Sequence, residues 1–331
     1  MIVAYIGNFQ PDLPPELGLA WSTETHISAS LELLGHDVVR NHEQTDDWRT
    51  TVEHARGADL FVWTSTWGYA QQWPRGEASG SLRLIGERIP TVAVHLDRWW
   101  HLAREQQVSD RRRGHVMFEC RWVFTADGDN DALWERYGVN HRWLPPGVFG
   151  PECTPGTPND EYRADVAFVG SWEGYEHAEH WHERRAMLDA LRQNYGHRFV
   201  CWPRRGRPAV RGADLNDLYA STKVVVGDSC LAATSNRYWS DRIFETVGRG
   251  GFCVHPAIPG LVELLPDDMG VAYFAPGDWR EMIRLVDWWL AHDDARDEAR
   301  AKGQRFVREH HSYERRMQQM LDVLEQEGAL R

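Results

Sequence analysis

The sequence predicts an α/β protein built from two doubly wound, Rossmann-like domains. Three observations carry this reading. The chain has 331 residues, more than one typical domain holds and comfortable for two. Short apolar runs alternate with helix-spaced segments through residues 2–144, and the alternation restarts near residue 163. Between the two lies a stretch rich in Pro, Gly and Thr that has no periodicity and reads as a linker.

In the first half, residues 2–6 form a strand ending in Gly7-Asn8-Phe9. Residues 25–34 have helical spacing and stop at Gly35, and a second strand begins at Asp37. A helix over 48–56 leads into a β-rich run at 59–64. A helical end at 82–87 precedes Pro90 and a strand at 91–95. A strand at 121–125, a helix at 130–137 and a strand at 142–144 complete about six strands, as a doubly wound sheet would have. In the second half, strands are expected at 165–169, 198–202, 223–226, 251–255 and 271–274. Helices are expected at 182–195, 214–221, 241–248, 259–265 and 279–291, with a charged helical tail from 294 to 327.

Composition narrows the partners. The net charge of −12 gives no global attraction to nucleic acid or anionic lipid, although Arg111-Arg112-Arg113 and Arg204-Arg205-Gly206-Arg207, with Arg211, are locally basic. Lys223 and Lys302 are the only lysines, which fits codon bias rather than chemistry. The 17 tryptophans can stack on sugars and bases, but each reads first as core. Five cysteines, an odd number with no C-x-x-C pair, argue against a disulfide framework or zinc site and fit a reducing, cytoplasmic setting. The N-terminus reads as a first strand rather than a signal peptide, and no apolar run reaches the ~20 residues that span a membrane.

Two doubly wound domains predict a cleft, with ligands at the carboxyl ends of the strands. The loops of interest are therefore Gly7-Asn8-Phe9, His95-Leu96-Asp97-Arg98, Gly170-Ser171-Trp172, Pro203-Arg204-Arg205 and Gly227-Asp228-Ser229. The segment from Ser240 to Gly251 says most. Ser240 or Asp241 is a candidate helix cap, and the helix start with Arg242 suits a diphosphate. Glu245, one turn on, can accept two ribose hydroxyls, and Gly250-Gly251 allows a tight turn. The plainer reading is a surface Arg242–Glu245 pair at i, i+3.

These pieces occur in a telling order. Asp165-Val-Ala-Phe-Val-Gly170-Ser171 comes first, then 218–226, then Ser240-x-Arg242-x-Phe244-Glu245 with Gly250-Gly251, then Pro259-Gly260-Leu261 with Glu263-Leu264. The second half so marked resembles the C-terminal domain of the CgeB-like (spore-protein-like) glycosyltransferases, related to the GT-B family-4 group. Trp143-Leu-Pro-Pro-Gly147 resembles that family's exit from its first domain, and His311-x-Tyr313-x-x-Arg316 its closing helix. The resemblance covers about residues 140–320. It implies the GT-B fold: an acceptor domain over 1–148, a linker over 149–162, a nucleotide-sugar donor domain over 163–310, and a helix over 311–331 crossing back to the first domain. It implies that Glu245 binds ribose, that the Gly170-Ser171 loop lies beside the donor phosphates, and that Pro203–Arg205 flank the base. Many family-4 enzymes carry a donor-sugar glutamate where this chain has Arg237, which leaves the sugar and the stereochemical outcome open.

The activity so implied is metal-independent transfer from a nucleotide sugar, UDP- or another, with no permanent cofactor, to an acceptor hydroxyl. Fixed cations would stabilise the leaving diphosphate. Asp97 is the first candidate for the base and His95 the second, with Asn8 and Phe9 on the acceptor side. The acceptor is open among a glycan, a small molecule, a protein and a modified DNA base of the phage type, the last motivated by the Arg clusters. Nucleotide-sugar epimerisation and non-catalytic nucleotide-sugar binding are the alternatives. His177, His180 and His182 look like metal ligands but lack partners at a known spacing.

Overall fold

The computed structural model describes residues 1–9, 23–43, 45–64, 75–102, 105–109, 115–172 and 182–330. The His177–His180 stretch and Arg111–Arg113 lie outside these residues, as does the side chain of His182. The chain divides into two compact units, each built on one parallel sheet.

The first unit holds β1 (Ile2–Gly7), α1 (Thr23–Leu33), β2 (Asp37–His42), α2 (Trp48–Ala55), β3 (Leu60–Thr64) and α3 (Arg75–Gly86). It continues with β4 (Thr91–His95), α4 (Gln106–Ser109), β5 (Trp122–Thr125), α5 (Asp131–Arg136) and β6 (His141–Trp143). The strand order is β2-β1-β3-β4-β5-β6, so the order reverses between β1 and β3. Strands β3 and β4 are buried along their whole length, as expected of a sheet covered on both faces. Much of the core is aromatic: Trp48 packs edge-on against Trp63 at 5.4 Å, and Trp100 against Trp134 at 5.0 Å.

The second unit runs through β7 (Ala164–Val169), α6 (His182–Tyr195), β8 (Phe199–Trp202), α7 (Gly212–Ser221), β9 (Thr222–Val226) and α8 (Arg242–Gly248). β10 (Cys253–Pro256), α9 (Pro259–Leu264), β11 (Val271–Phe274), α10 (Trp279–Ala291) and α11 (Asp293–His310) follow. Its order is β11-β10-β9-β7-β8, with the reversal between β7 and β9. Successive side chains of a strand point to opposite faces. Val166 and Phe168 accordingly join a core with α6 and α10, while Ala167 and Val169 join one with Leu215, Leu218 and Tyr219 of α7.

The charged tail is two helices that break at His311-Ser312, where the resemblance begins its closing helix: α11 belongs to the second unit and α12 (Tyr313–Gln326) to the first. α12 lies against α1 through His26 and Tyr313, and Glu327 beyond it accepts from Trp122 Nε1 at 2.8 Å and from Arg142. The stretch at 149–162 is pinned rather than slack. Asn216 Nδ2 donates to the carbonyls of Glu152 and Thr154, and Asp217 and Ser221 accept from the amides of Thr157 and Asn159. A Cβ at Gly156 would stand 2.1 Å from the Asn216 backbone, which excludes any side chain there.

Candidate functional site

In the second unit the candidate residues fall into three groups. The first lies at the order reversal between β7 and β9. Gly170 N donates to Trp202 O at 2.9 Å, which fixes the exit of β7 beside the exit of β8. Asp228, leaving β9, is held by Arg184 of α6, Nε to Oδ2 at 2.6 Å and Nη2 to Oδ1 at 2.9 Å. The same guanidinium donates from Nη1 to the Ser171 carbonyl at 2.6 Å. Ser229 is buried, and its hydroxyl has no partner among the described residues. Behind this edge His255, ending β10, is also buried. Its Nδ1 faces Pro256 O at 2.9 Å, and burial lowers its pKa.

The second group is the turn after β8. Trp172 Nε1 donates to Pro203 O at 2.8 Å, so the loop expected beside the phosphates is joined to the turn expected beside the base. Arg204 lies over the Trp202 ring at 4.7 Å, and Arg204, Arg205 and Arg207 are exposed.

The third group gathers at the start of α8. This helix links β9 to β10, so its first residues lie at the carboxyl edge of the sheet. Arg242 Nη1 donates to Glu245 Oε2, and Glu245 is only 6% exposed. This is the i, i+3 pair of the plainer reading, yet largely buried rather than on the surface. Burial disfavours the charge on Arg242, but Glu245, Tyr219 and Asp241 outweigh it and raise its pKa. Asp241 is pushed up to about 6, first by burial and then by Glu245. Arg211 is lowered to about 10, first by burial and then by Arg242. Behind them Arg249 pairs with Glu152, whose pKa burial raises, and donates to Asn216 Oδ1 at 2.7 Å. Three arginines and three carboxylates thus gather in one cluster, of which Glu245 and Arg249 are buried and the other four partly buried.

The expected helix cap needs correction. The Asp241 side chain makes no capping bond, because Asp241 already has helical backbone angles. Ser240 Oγ instead accepts from Arg242 N at 3.4 Å. α8 has seven residues, so any anion held here relies on side-chain cations more than on a helix dipole. Gly250 does take the positive φ, 84°, that its turn into β10 requires. Arg237 is exposed and lies beside Gly260.

In the first unit, His95 ends β4 and is 4% exposed, its ring 4.6 Å from that of Trp99. His115 stands close by, with its pKa lowered to about 3 by burial and then by His95. Asp97 is half-buried and accepts from Arg98 N at 2.8 Å. It does not hold the Trp99-Trp100 turn. Asp127 does, accepting from both amides at 2.9 and 2.8 Å and from Asn130 Nδ2 at 2.9 Å. Asn8 is buried, and Phe9 packs against Tyr5 and under Arg40, its carbonyl bonded to His42 at 2.9 Å.

Arg184, Asp127 and the Glu152–Arg249 pair escaped sequence reasoning. Arg184 sits in a His-rich stretch that drew attention to metal chemistry, and no local pattern links it to Asp228, 44 positions away. Arg211 was visible only as one of a basic run. Among the described residues no group of three His, Cys, Asp or Glu side chains is placed to hold a metal, and no helix is long and apolar enough to cross a membrane.

Comparison with known proteins agrees with this architecture. Residues 183–322 match a family model described as glycosyl transferase-like. No curated protein matches the sequence. Among solved structures, sucrose-phosphate synthase from Thermosynechococcus elongatus is similar over 99% of each chain, with 13% identity and a TM-score of 0.61. An alpha-glucosyltransferase in complex with UDP and a 13-mer DNA containing an HMU base is similar over 98% of this chain and 99% of that one, with 11% identity and a TM-score of 0.66. Anabaena Alr3699/HepE in complex with UDP and glucose is similar over 98% and 100%, with 12% identity and a TM-score of 0.61. The chain therefore has the GT-B fold, and its residues 183–322 form a glycosyltransferase-like enzyme domain.

Proposed function

We propose that the protein moves a sugar from a nucleoside diphosphate sugar to an acceptor hydroxyl, and that the carboxyl edge of the second sheet holds the donor. The observation that carries this is the cluster at the start of α8, in which the buried Glu245 is paired with Arg242, with the partly buried Asp241 and Arg211 beside them. Burying this many charges is costly unless they serve a ligand or one another. A carboxylate steadied by an arginine suits a ribose diol, and forked guanidiniums suit a diphosphate. Glu245 is the ribose ligand in this reading. Ser240, Asp241 and Arg242 flank the diphosphate together with Gly170, Ser171, Asp228 and Ser229. Trp172, Arg204 and Arg205 border the base. Side-chain cations stabilise the leaving group without a metal. This agrees with the CgeB-like resemblance.

UDP is the first nucleotide to test, because the similar alpha-glucosyltransferase and HepE structures contain it. For the base we propose Asp97 over His95, since His95 is packed into an aromatic cluster. The deciding experiment is calorimetric titration of wild type and Glu245→Ala with UDP. The reading expects binding by wild type and a loss of about tenfold or more in the variant. Equal affinity in the two would remove Glu245 from the donor site.

DNA as acceptor is the second reading. The exposed Arg204, Arg205 and Arg207 turn at the carboxyl end of β8 favours it, and one similar structure contains DNA. Duplex binding that weakens steeply with salt supports this reading, and no binding at low salt removes it.

A further inference from the structure

Arg184 stands in the first turn of α6 and is 8% exposed. All three of its nitrogens are committed: Nε and Nη2 to the two oxygens of Asp228, and Nη1 to the Ser171 carbonyl. The guanidinium carbon also lies 5.2 Å from the centre of the Phe168 ring. The fork therefore ties the chain leaving β7 to the chain leaving β9, the strands on either side of the order reversal. A lysine carries the same charge but cannot make this planar, three-pronged contact.

Peptide geometry gives the contact a consequence. The C=O and N–H of a trans peptide point in opposite directions. Holding the Ser171 carbonyl turns the Trp172 N–H away from Arg184. Among the described residues the backbone N–H groups of Ser171 and Trp172 have no acceptor. Ser171 is exposed and Trp172 half-buried, so these N–H groups are open to solvent and available to an anion.

We propose that Arg184 is a positioning residue: by clasping Asp228 and the Ser171 carbonyl it aims the Trp172 amide at the donor's diphosphate. This rests on the donor reading above. Arg184 itself does not touch the donor. Its effect is felt on the diphosphate and not on the nucleoside.

The test is titration of wild type, Arg184→Lys and Asp228→Asn with UDP and with UMP, alongside thermal melts. The proposal expects each variant to lose about tenfold or more in UDP affinity but less than about threefold for UMP. It also expects the double variant to be little worse than the poorer single, because both break one clasp. Amide hydrogen exchange at Trp172 should slow when UDP binds wild type and should slow less in both variants. An unchanged ratio of UDP to UMP affinity, with melts lowered, would overturn the proposal and leave Arg184 a stabilising residue. If Arg184→Lys does not fold, Asp228→Asn decides alone, since it keeps the shape of the side chain. If wild type binds another nucleoside diphosphate instead, that diphosphate and its monophosphate replace UDP and UMP; wild type that binds no nucleoside diphosphate contradicts the donor reading itself, and the inference falls with it.

Discussion

The carboxyl edges of the two sheets use charge in opposite ways. In the first unit Asp127 is buried and spent on backbone: it fixes the Trp99-Trp100 turn and Asn130, and aromatic rings pack around it. In the second unit the carboxylates meet arginine side chains, Asp228 with Arg184 and Glu245 with Arg242. A carboxylate held by three N–H groups is a structural pin. Arg242, paired with Glu245 at the start of α8, remains a cation that an anionic ligand can recruit, whereas Arg184 is spent on Asp228 and the Ser171 carbonyl. The difference separates a buried charge that builds the scaffold from charges that fit the proposed donor site.

Breaking the pin should have the largest effect on stability. Asp127→Ala strands buried donors at Trp99, Trp100 and Asn130, and should cost about 3 kcal/mol or more in urea unfolding. Asp97→Ala, two loop positions before Trp99, should cost less than about 1 kcal/mol, and in the proposed mechanism should lower turnover by about 100-fold or more. Equal stability losses for the two would erase the distinction drawn between them.

Next comes the charged network. Asp241 has a folded pKa of about 6 against an ordinary value of 3.8. The folded state therefore takes up this proton more readily than the unfolded state. The stability it contributes is full below about pH 4 and is lost as pH rises through about 6. Asp241→Asn should thus stabilise the protein by about 1–2 kcal/mol near pH 7.5 and by almost nothing near pH 4. A gain that is the same at both pH values would mean that Asp241 is not the titrating group.

The smallest effect is expected at the turn after β8. Arg204→Ala should change UDP affinity by less than about threefold, because Arg204 is exposed and stacks on Trp202 rather than joining the network. A larger loss would make Arg204 a direct contact to the base rather than a residue at its border.

Most of the scaffold was legible because strand period, helix period and punctuation agreed. All eleven strands fall where short apolar runs met Gly, Pro or Asp, and the ends of α6 and α10 match the sequence pattern. The site was legible where function is local in sequence, as in Ser240 to Glu245. It was hidden where partners are distant. Nothing in the sequence joins Arg184 to Asp228, Asp127 to Trp99, or Glu152 to Arg249, because each is a contact between separate elements. The cap at α8 misled for a related reason: Asp241 has the right side chain, but its backbone is already helical.

The central claim is that the second unit holds a nucleoside diphosphate. It is tested most directly by titrating the wild-type protein with UDP, GDP, ADP, TDP and CMP and following the melting temperature. The account predicts a clear rise with one diphosphate, worth about 2.7 kcal/mol at a hundred times its Kd, and abolished by Glu245→Ala. No rise with any nucleotide at millimolar concentration would contradict it.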